Sequence, residues 1–200
     1  MAYSDLTLTE VRKRFQLTID ETHDLFAAVP SAALPARLRE TLDENLPLAQ
    51  GSNTEKARSE LLIAPMLVEL RRMVGHHIGL FSGVDFTVDE ARGLSGFCDF
   101  IVTRSPELYA VTAPVLLLVE AKKENLAAGL GQCLGEMVAA REFNAREGSA
   151  VDTIYGAVTT GTNWKFLSLS GTEAAIDLLE YHVSAPGKVL GILQYMVGVT

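Results

Sequence analysis

Cysteine is scarce: Cys98 and Cys133 are the only two in 200 residues, each set among apolar neighbours. That excludes a disulfide framework and fits a reducing compartment. Histidine numbers four, and the one adjacent pair, His76-His77, has no cysteine or third histidine at zinc spacing. A zinc centre is therefore not expected. Positive charge is short as well. Lys and Arg total 17 against 25 Asp and Glu, a net charge of −8. A uniformly basic nucleic-acid coat is excluded; a local basic patch is not. Long apolar runs are missing too. The longest, Val115 to Val119, falls far below the roughly 20 residues of a membrane helix. The opening Met1-Ala2-Tyr3-Ser4-Asp5 lacks the basic and apolar regions of a secretory signal. A cytoplasmic chain with no membrane segment is expected. What is present is an apolar fraction of 48%, spread over 1–200 without repeat, linker or low-complexity stretch. That is enough for one domain with its own core.

Capping-box patterns stand at Thr18-Ile19-Asp20-Glu21 and Ser52-Asn53-Thr54-Glu55, where a hydroxyl and a carboxylate satisfy free N–H groups reciprocally. The first predicts a helix carrying Leu25, Phe26 and Val29, stopped by Pro30 and Pro35. Leu34, Leu38 and Leu42 predict another short helix, so residues 1–50 read as a helical cover or a partner-contact arm. The second box predicts a helix over 53–74 with Leu61, Leu62, Met66, Leu70 and Val74 on one stripe. Pro65 inside it predicts a kink or irregular turn, and Gly75 a stop. Strands are predicted at 80–88, 97–102, 115–119, 154–159 and 164–169, and helices at 126–147 and from Pro186 to the end. The fold class is α+β or mixed α/β.

One charged cluster stands out. The apolar run Val115–Val119 leads straight into Glu120-Ala121-Lys122. Its composition is that of a central strand buried on both faces. Strand residues i and i+2 share a face, roughly 6–7 Å apart, so a carboxylate and an ammonium emerge side by side. Asp99 lies on the preceding strand between Phe97 and Ile101. Hairpin pairing of the two strands would bring Asp99 opposite Glu120. Two hard carboxylates suit Mg²⁺ or Mn²⁺, and a nearby lysine can orient water or stabilise charge on a phosphate. Other motifs carry less. Gly129 to Gly135 fails the spacing of a dinucleotide loop and reads as close helix packing. Cys133 reads as core, Lys123 as exposed, and Glu136 as a solvated surface residue.

Gly-Phe-Cys-Asp-Phe at 96–100 and Leu-Val-Glu-Ala-Lys at 118–122 together resemble the PD-(D/E)XK nuclease superfamily, as met in its bacterial, particularly cyanobacterial, members. Gln132, on the helix after the lysine strand, and Glu60, on the helix before the strands, are similar to further superfamily positions. Cys98 departs from the pattern, which has proline there. The resemblance covers about 53–170 and implies a restriction-endonuclease-like fold, a mixed central β-sheet flanked by helices with an αβββαβ core. Residues 1–50 would be a helical N-terminal extension and 171–200 a C-terminal strand and helix. It implies that Asp99 and Glu120 bind Mg²⁺ or Mn²⁺, with the Ala121 carbonyl as an extra ligand and Glu60 as an outer one. Lys122 would position or activate the water, and Gln132 would orient the lysine or a phosphate. The implied activity is Mg²⁺-dependent endonucleolytic hydrolysis of DNA. The partners implied are DNA, a second copy for duplex cleavage and a protein supplying specificity. The rival expectation is a nuclease-fold subunit that no longer cuts and serves in DNA binding or protein interaction; the charge of −8 favours it.

Overall fold

The computed structural model describes residues 2–198. A 3₁₀ turn (Tyr3–Asp5) and α1 (Leu8–Arg14) lead into β1 (Thr18–Asp20). Then come α2 (Ala36–Ser52), α3 (Glu55–Arg58), a π-helical turn (Ser59–Ile63) and α4 (Ala64–Met73). They are followed by β2 (Gly79–Asp85), β3 (Phe97–Thr103), β4 (Val115–Ala121), α5 (Leu126–Arg146) and β5 (Ile154–Thr159). The chain ends with β6 (Asn163–Ser170), β7 (Glu173–Ile176), β8 (Tyr181–His182) and α6 (Pro186–Met196). Residues 199 and 200, to which the last helix was expected to run, lie outside the described residues. Among the described residues no helix is long and apolar enough to cross a membrane.

Eight described strands form one mixed sheet in the order β1-β7-β6-β5-β4-β3-β2, with β8 beside β6. β2, β3 and β4 are an antiparallel meander. α5 then crosses over and β5 returns parallel to β4. β5, β6 and β7 are antiparallel, and β1 adds parallel to β7. All seven residues of β4 are buried, as its unbroken apolar run predicts for a strand covered on both faces. Leu117, Val119 and Ala121 enter a core shared with α2, α4 and α6. Leu118 enters the opposite core, with α5 and the N-terminal segment.

In the N-terminal fifty residues the helix expected around Leu38 and Leu42 forms as α2 and covers the core, but the stretch before it differs. Thr18–Asp20 is a strand, not a helix start. The Asp20 carboxylate is spent on a tight turn, accepting from Thr22 N at 2.9 Å and Thr22 Oγ1 at 2.7 Å. No helix forms over 25–29. The carbonyls of Phe26, Ala27 and Val29 are taken by the Lys188 ammonium at 2.7, 3.2 and 2.6 Å. The working capping box is Thr7 with Glu10: Glu10 N donates to Thr7 Oγ1 at 3.3 Å and Thr7 N to Glu10 Oε2 at 2.9 Å. Nor is the segment wholly helical. It supplies β1, and Tyr3, Leu6, Val11, Phe15 and Leu17 are buried in the α5 core.

The helix expected over 53–74 runs without a gap over 55–73, with the π-helical turn inside it. Ser52 ends α2, Asn53 turns left-handed at φ 46°, and Thr54 is the cap, accepting from Ala57 N at 3.0 Å. Pro65 produces the irregular turn. It has no N–H for the Leu61 carbonyl, which instead accepts from Asn45 Nδ2 at 2.9 Å. The residue before it, Ala64, donates five positions back to Ser59.

Candidate active site

The β3–β4 register runs through Ile101↔Leu118 and Phe100↔Val119, and one further step brings Asp99 opposite Glu120. Across the other edge of β3, Ser82↔Phe100 and Val84↔Cys98 place Gly83 beside Asp99. Half-buried Asp99 is anchored to β4, its Oδ2 accepting from Ala121 N at 2.8 Å. β4 ends where Lys122 N donates to Thr159 O of β5 at 2.8 Å. Glu120 and Lys122 share the face turned to α5. The Lys122 ammonium donates to Glu120 Oε1, in close contact, and to Gln132 Oε1 at 3.2 Å. Gln132 Nε2 donates in turn to Glu136 Oε1 at 3.1 Å.

α5 can approach this closely because Gly129 faces the sheet. A Cβ there would lie 2.6 Å from Val158 Cγ1 and 3.2 Å from Lys122 Cε and Cγ. Asn125 sets the helix start, its side chain accepting from Ala128 N at 3.4 Å.

Glu120 is 2% exposed and Glu136 is fully buried. The Oε2 atom of each meets no N–H or O–H donor among the described residues, and the two carboxyl groups meet each other. Burial, then the Asp99 charge, push the Glu120 carboxyl up to about 7 against the pull of Lys122. Burial and the Glu120 charge push Glu136 well above the carboxylate range. Two carboxyls in contact cannot both ionise cheaply, so one proton between them relieves the repulsion. Burial disfavours the Lys122 ammonium, but the charge and hydrogen bond of Glu120 outweigh it, with Glu55 and Asp99 adding. The lysine is held charged above its ordinary range. Burial pushes the thiols of Cys98 and Cys133 up, so neither is a thiolate nucleophile.

Asp99, Glu120, Lys122 and Gln132 therefore come together. Glu60 does not. The inward side of its turn is taken by Leu62 and Ile63, both fully buried. Glu60 itself is exposed, pairs with Lys56 at 3.3 Å, and borders a separate groove with Arg37, Thr41 and Glu69. The helix carboxylate whose charge reaches Lys122 is Glu55, at the first position after the Thr54 cap. Glu136, expected on the surface, is buried inside the cluster; its spacing of four from Gln132 was the available signal. Lys123 is exposed and pairs with Glu124 at 3.5 Å. Beside the cluster opens a polar cavity of about 470 Å³ whose lining includes Arg58, Lys123, Asn125, Thr160, Thr162 and Glu180.

Among the described residues, no three His, Cys, Asp or Glu side chains are grouped to hold a metal ion. Set against family models, curated proteins and solved structures, the chain matches none.

Proposed function

We propose that this chain is a metal-dependent nuclease of the PD-(D/E)XK type that hydrolyses DNA phosphodiester bonds. The observation that carries the reading is the convergence of Asp99 from β3, Glu120 and Lys122 from β4 and Gln132 from α5. The order helix, antiparallel β2-β3-β4, α5 and parallel β5 is similar to the superfamily's αβββαβ core. The donor set fits Mg²⁺ or Mn²⁺. Asp99 and Glu120 are hard oxygen donors on facing strand positions, and the charge of one raises the other, a repulsion that a cation would relieve. Asp99 and Glu120 would hold it with the Ala121 carbonyl. Two protein carboxylates leave the remaining positions to water and substrate oxygen, as is usual for Mg²⁺. Such a cation polarises a phosphoryl oxygen and acidifies its water. Lys122, kept charged, presents an ammonium where negative charge develops on the phosphate. Gln132 holds that ammonium in direction, and Asp99, tied to Ala121 N, keeps the two strands in register at the site.

The test is cleavage of plasmid and single-stranded DNA under Mg²⁺ and Mn²⁺ titration, with Lys122→Ala and Asp99→Asn alongside the wild type. Removing an electrostatic stabiliser of this kind costs about 10²–10³ in rate, so metal-dependent cutting is expected from wild type alone. Cutting that survives both substitutions sinks the assignment. Absence of both cutting and metal binding transfers the case to the non-cutting rival, which the net charge of −8 favours.

A further inference from the structure

We infer that Glu136 is a positioning residue of this site, holding Glu120 and Gln132, and through them Lys122, in one orientation. The inference rests on the site reading above and adds a residue to it. Four side chains form a closed ring. Lys122 donates to Glu120 and, at 3.2 Å, to Gln132 Oε1; Gln132 Nε2 donates to Glu136 Oε1 at 3.1 Å; Glu136 meets Glu120. Glu136 is fully buried, and helix positions on both sides of it are packed: Cys133, Met137 and Ala140 are all at 0% exposure. A carboxylate so placed has no access to solvent and, among the described residues, no ion pair of its own. Burying it is costly unless its oxygens are matched, and the partners it finds are Gln132 and Glu120.

The consequence is geometric. A glutamine amide can turn over, exchanging its acceptor and donor ends. With Oε1 of Glu136 accepting, the Gln132 NH₂ points at Glu136 and its carbonyl oxygen must point at Lys122. Turned over, Gln132 would set two donors against the ammonium and two acceptors against each other. Glu136 therefore selects the end of Gln132 that Lys122 meets. Its carboxyl group also interacts with that of Glu120, which limits rotation of the carboxyl that would hold metal. Partners one step behind a metal ligand typically govern affinity by 10–100-fold.

The experiment compares wild type with Glu136→Gln, Glu136→Ala and Glu136→Met. Glutamine keeps a carbonyl for Gln132 and offers an N–H to Glu120; alanine and methionine offer neither, and methionine fills the volume should alanine fail to fold. The first readout is the ¹⁵N–¹H signal of the Lys122 ammonium, assigned by its loss in Lys122→Arg and visible when the group is hydrogen-bonded and shielded from exchange. The second is Mn²⁺ affinity by calorimetry. The expected result is a Lys122 signal and near wild-type affinity in Glu136→Gln. The apolar variants, with dispersed backbone spectra, lose the signal and bind Mn²⁺ about tenfold or more weakly. An apolar variant that keeps both signal and affinity overturns the role, as does Glu136→Gln behaving like Glu136→Met. If wild type binds no Mn²⁺, the metal reading fails, and the lysine signal alone still decides whether Glu136 positions the ring.

Discussion

Asn144 shows what one side chain contributes here. Fully inside the molecule at 2% exposure, it accepts from Val115 N and donates to Val115 O, both at 2.8 Å. It thus completes the first residue of β4 as a neighbouring strand would. Alanine at 144 would leave two buried backbone groups without partners, at roughly 1–3 kcal/mol each. Asn144→Ala is expected to lower the urea midpoint by the equivalent of about 2 kcal/mol or more with an unchanged slope, read by equilibrium unfolding. The same scale separates what could be read early from what could not. Asp99, Glu120 and Lys122 occupy a short motif on strands whose period is two, so their shared face follows from counting. Glu136 sits on a helix with twelve buried positions. Its polarity argued for solvent, and only packing on nearly every side shows otherwise. Glu55 and Glu60 are both helix carboxylates; the charge of Glu55 reaches Lys122, while Glu60 pairs with Lys56.

Among elements, α5 is the hub. One side lies against β4 and β5 at Gly129, while Gly131 and Gly135 receive the N-terminal segment. A Cβ on Gly131 would stand 2.3 Å from Leu6 O, 2.4 Å from Thr7 C and 2.5 Å from Leu8 N. Backbone cannot yield as a flexible side chain can. Gly131→Ala is expected to undock residues 2–17, seen as faster amide exchange over that segment and a lower melting temperature. Gly51→Ala, in α2 with nothing within 4 Å, is the control and should be neutral or slightly stabilising. The glycines of α5 were legible as close-packing positions, but not their separate partners. Strand-forming runs located β2 to β6 well. The capping pattern at 18–21 misled because Asp20 serves equally in a turn, and the free edge of β7 supplies a partner that local sequence does not reveal.

For the molecule as a whole, the sheet divides the interior into two cores, and a buried carboxylate with exposed arginine partners ties α2 to α4. Glu69 of α4, 1% exposed, takes Arg37 of α2 in a fork at 2.8 and 2.5 Å, with Arg72 at 3.6 Å. The Arg37 hydrogen bond, assisted by the charges of Arg37 and Arg72, holds the Glu69 carboxyl below its usual value of 4.5. The sign follows: above about 4.5 both folded and unfolded chains are ionised and the pairing counts in full. As pH falls below that value the unfolded chain binds the proton first, and stability drops until the folded carboxyl is protonated too. Urea unfolding between about pH 7 and pH 3 is expected to show this loss in wild type. Glu69→Gln should be less stable at neutral pH and show a shallower acid decline; an equally steep decline would place the acid sensitivity elsewhere.

Composition and apolar patterning by themselves determined a mixed α/β chain with a strand buried on both faces at Val115–Val119, and they set Asp99, Glu120 and Lys122 apart as one chemical group, to which the family resemblance added Gln132. They suffice because burial and strand period are local, and the cost of misplacing an apolar run is large. The tertiary structure alone decided that residues 2–20 complete the sheet and the α5 core, that Glu60 faces away, and that Glu136 lies at the centre. Those outcomes depend on which backbone edge is left unpaired, on which side of the Glu60 turn packs into the core, and on glycines that let a helix come close. Each is a property of two segments meeting, and neither segment carries it alone.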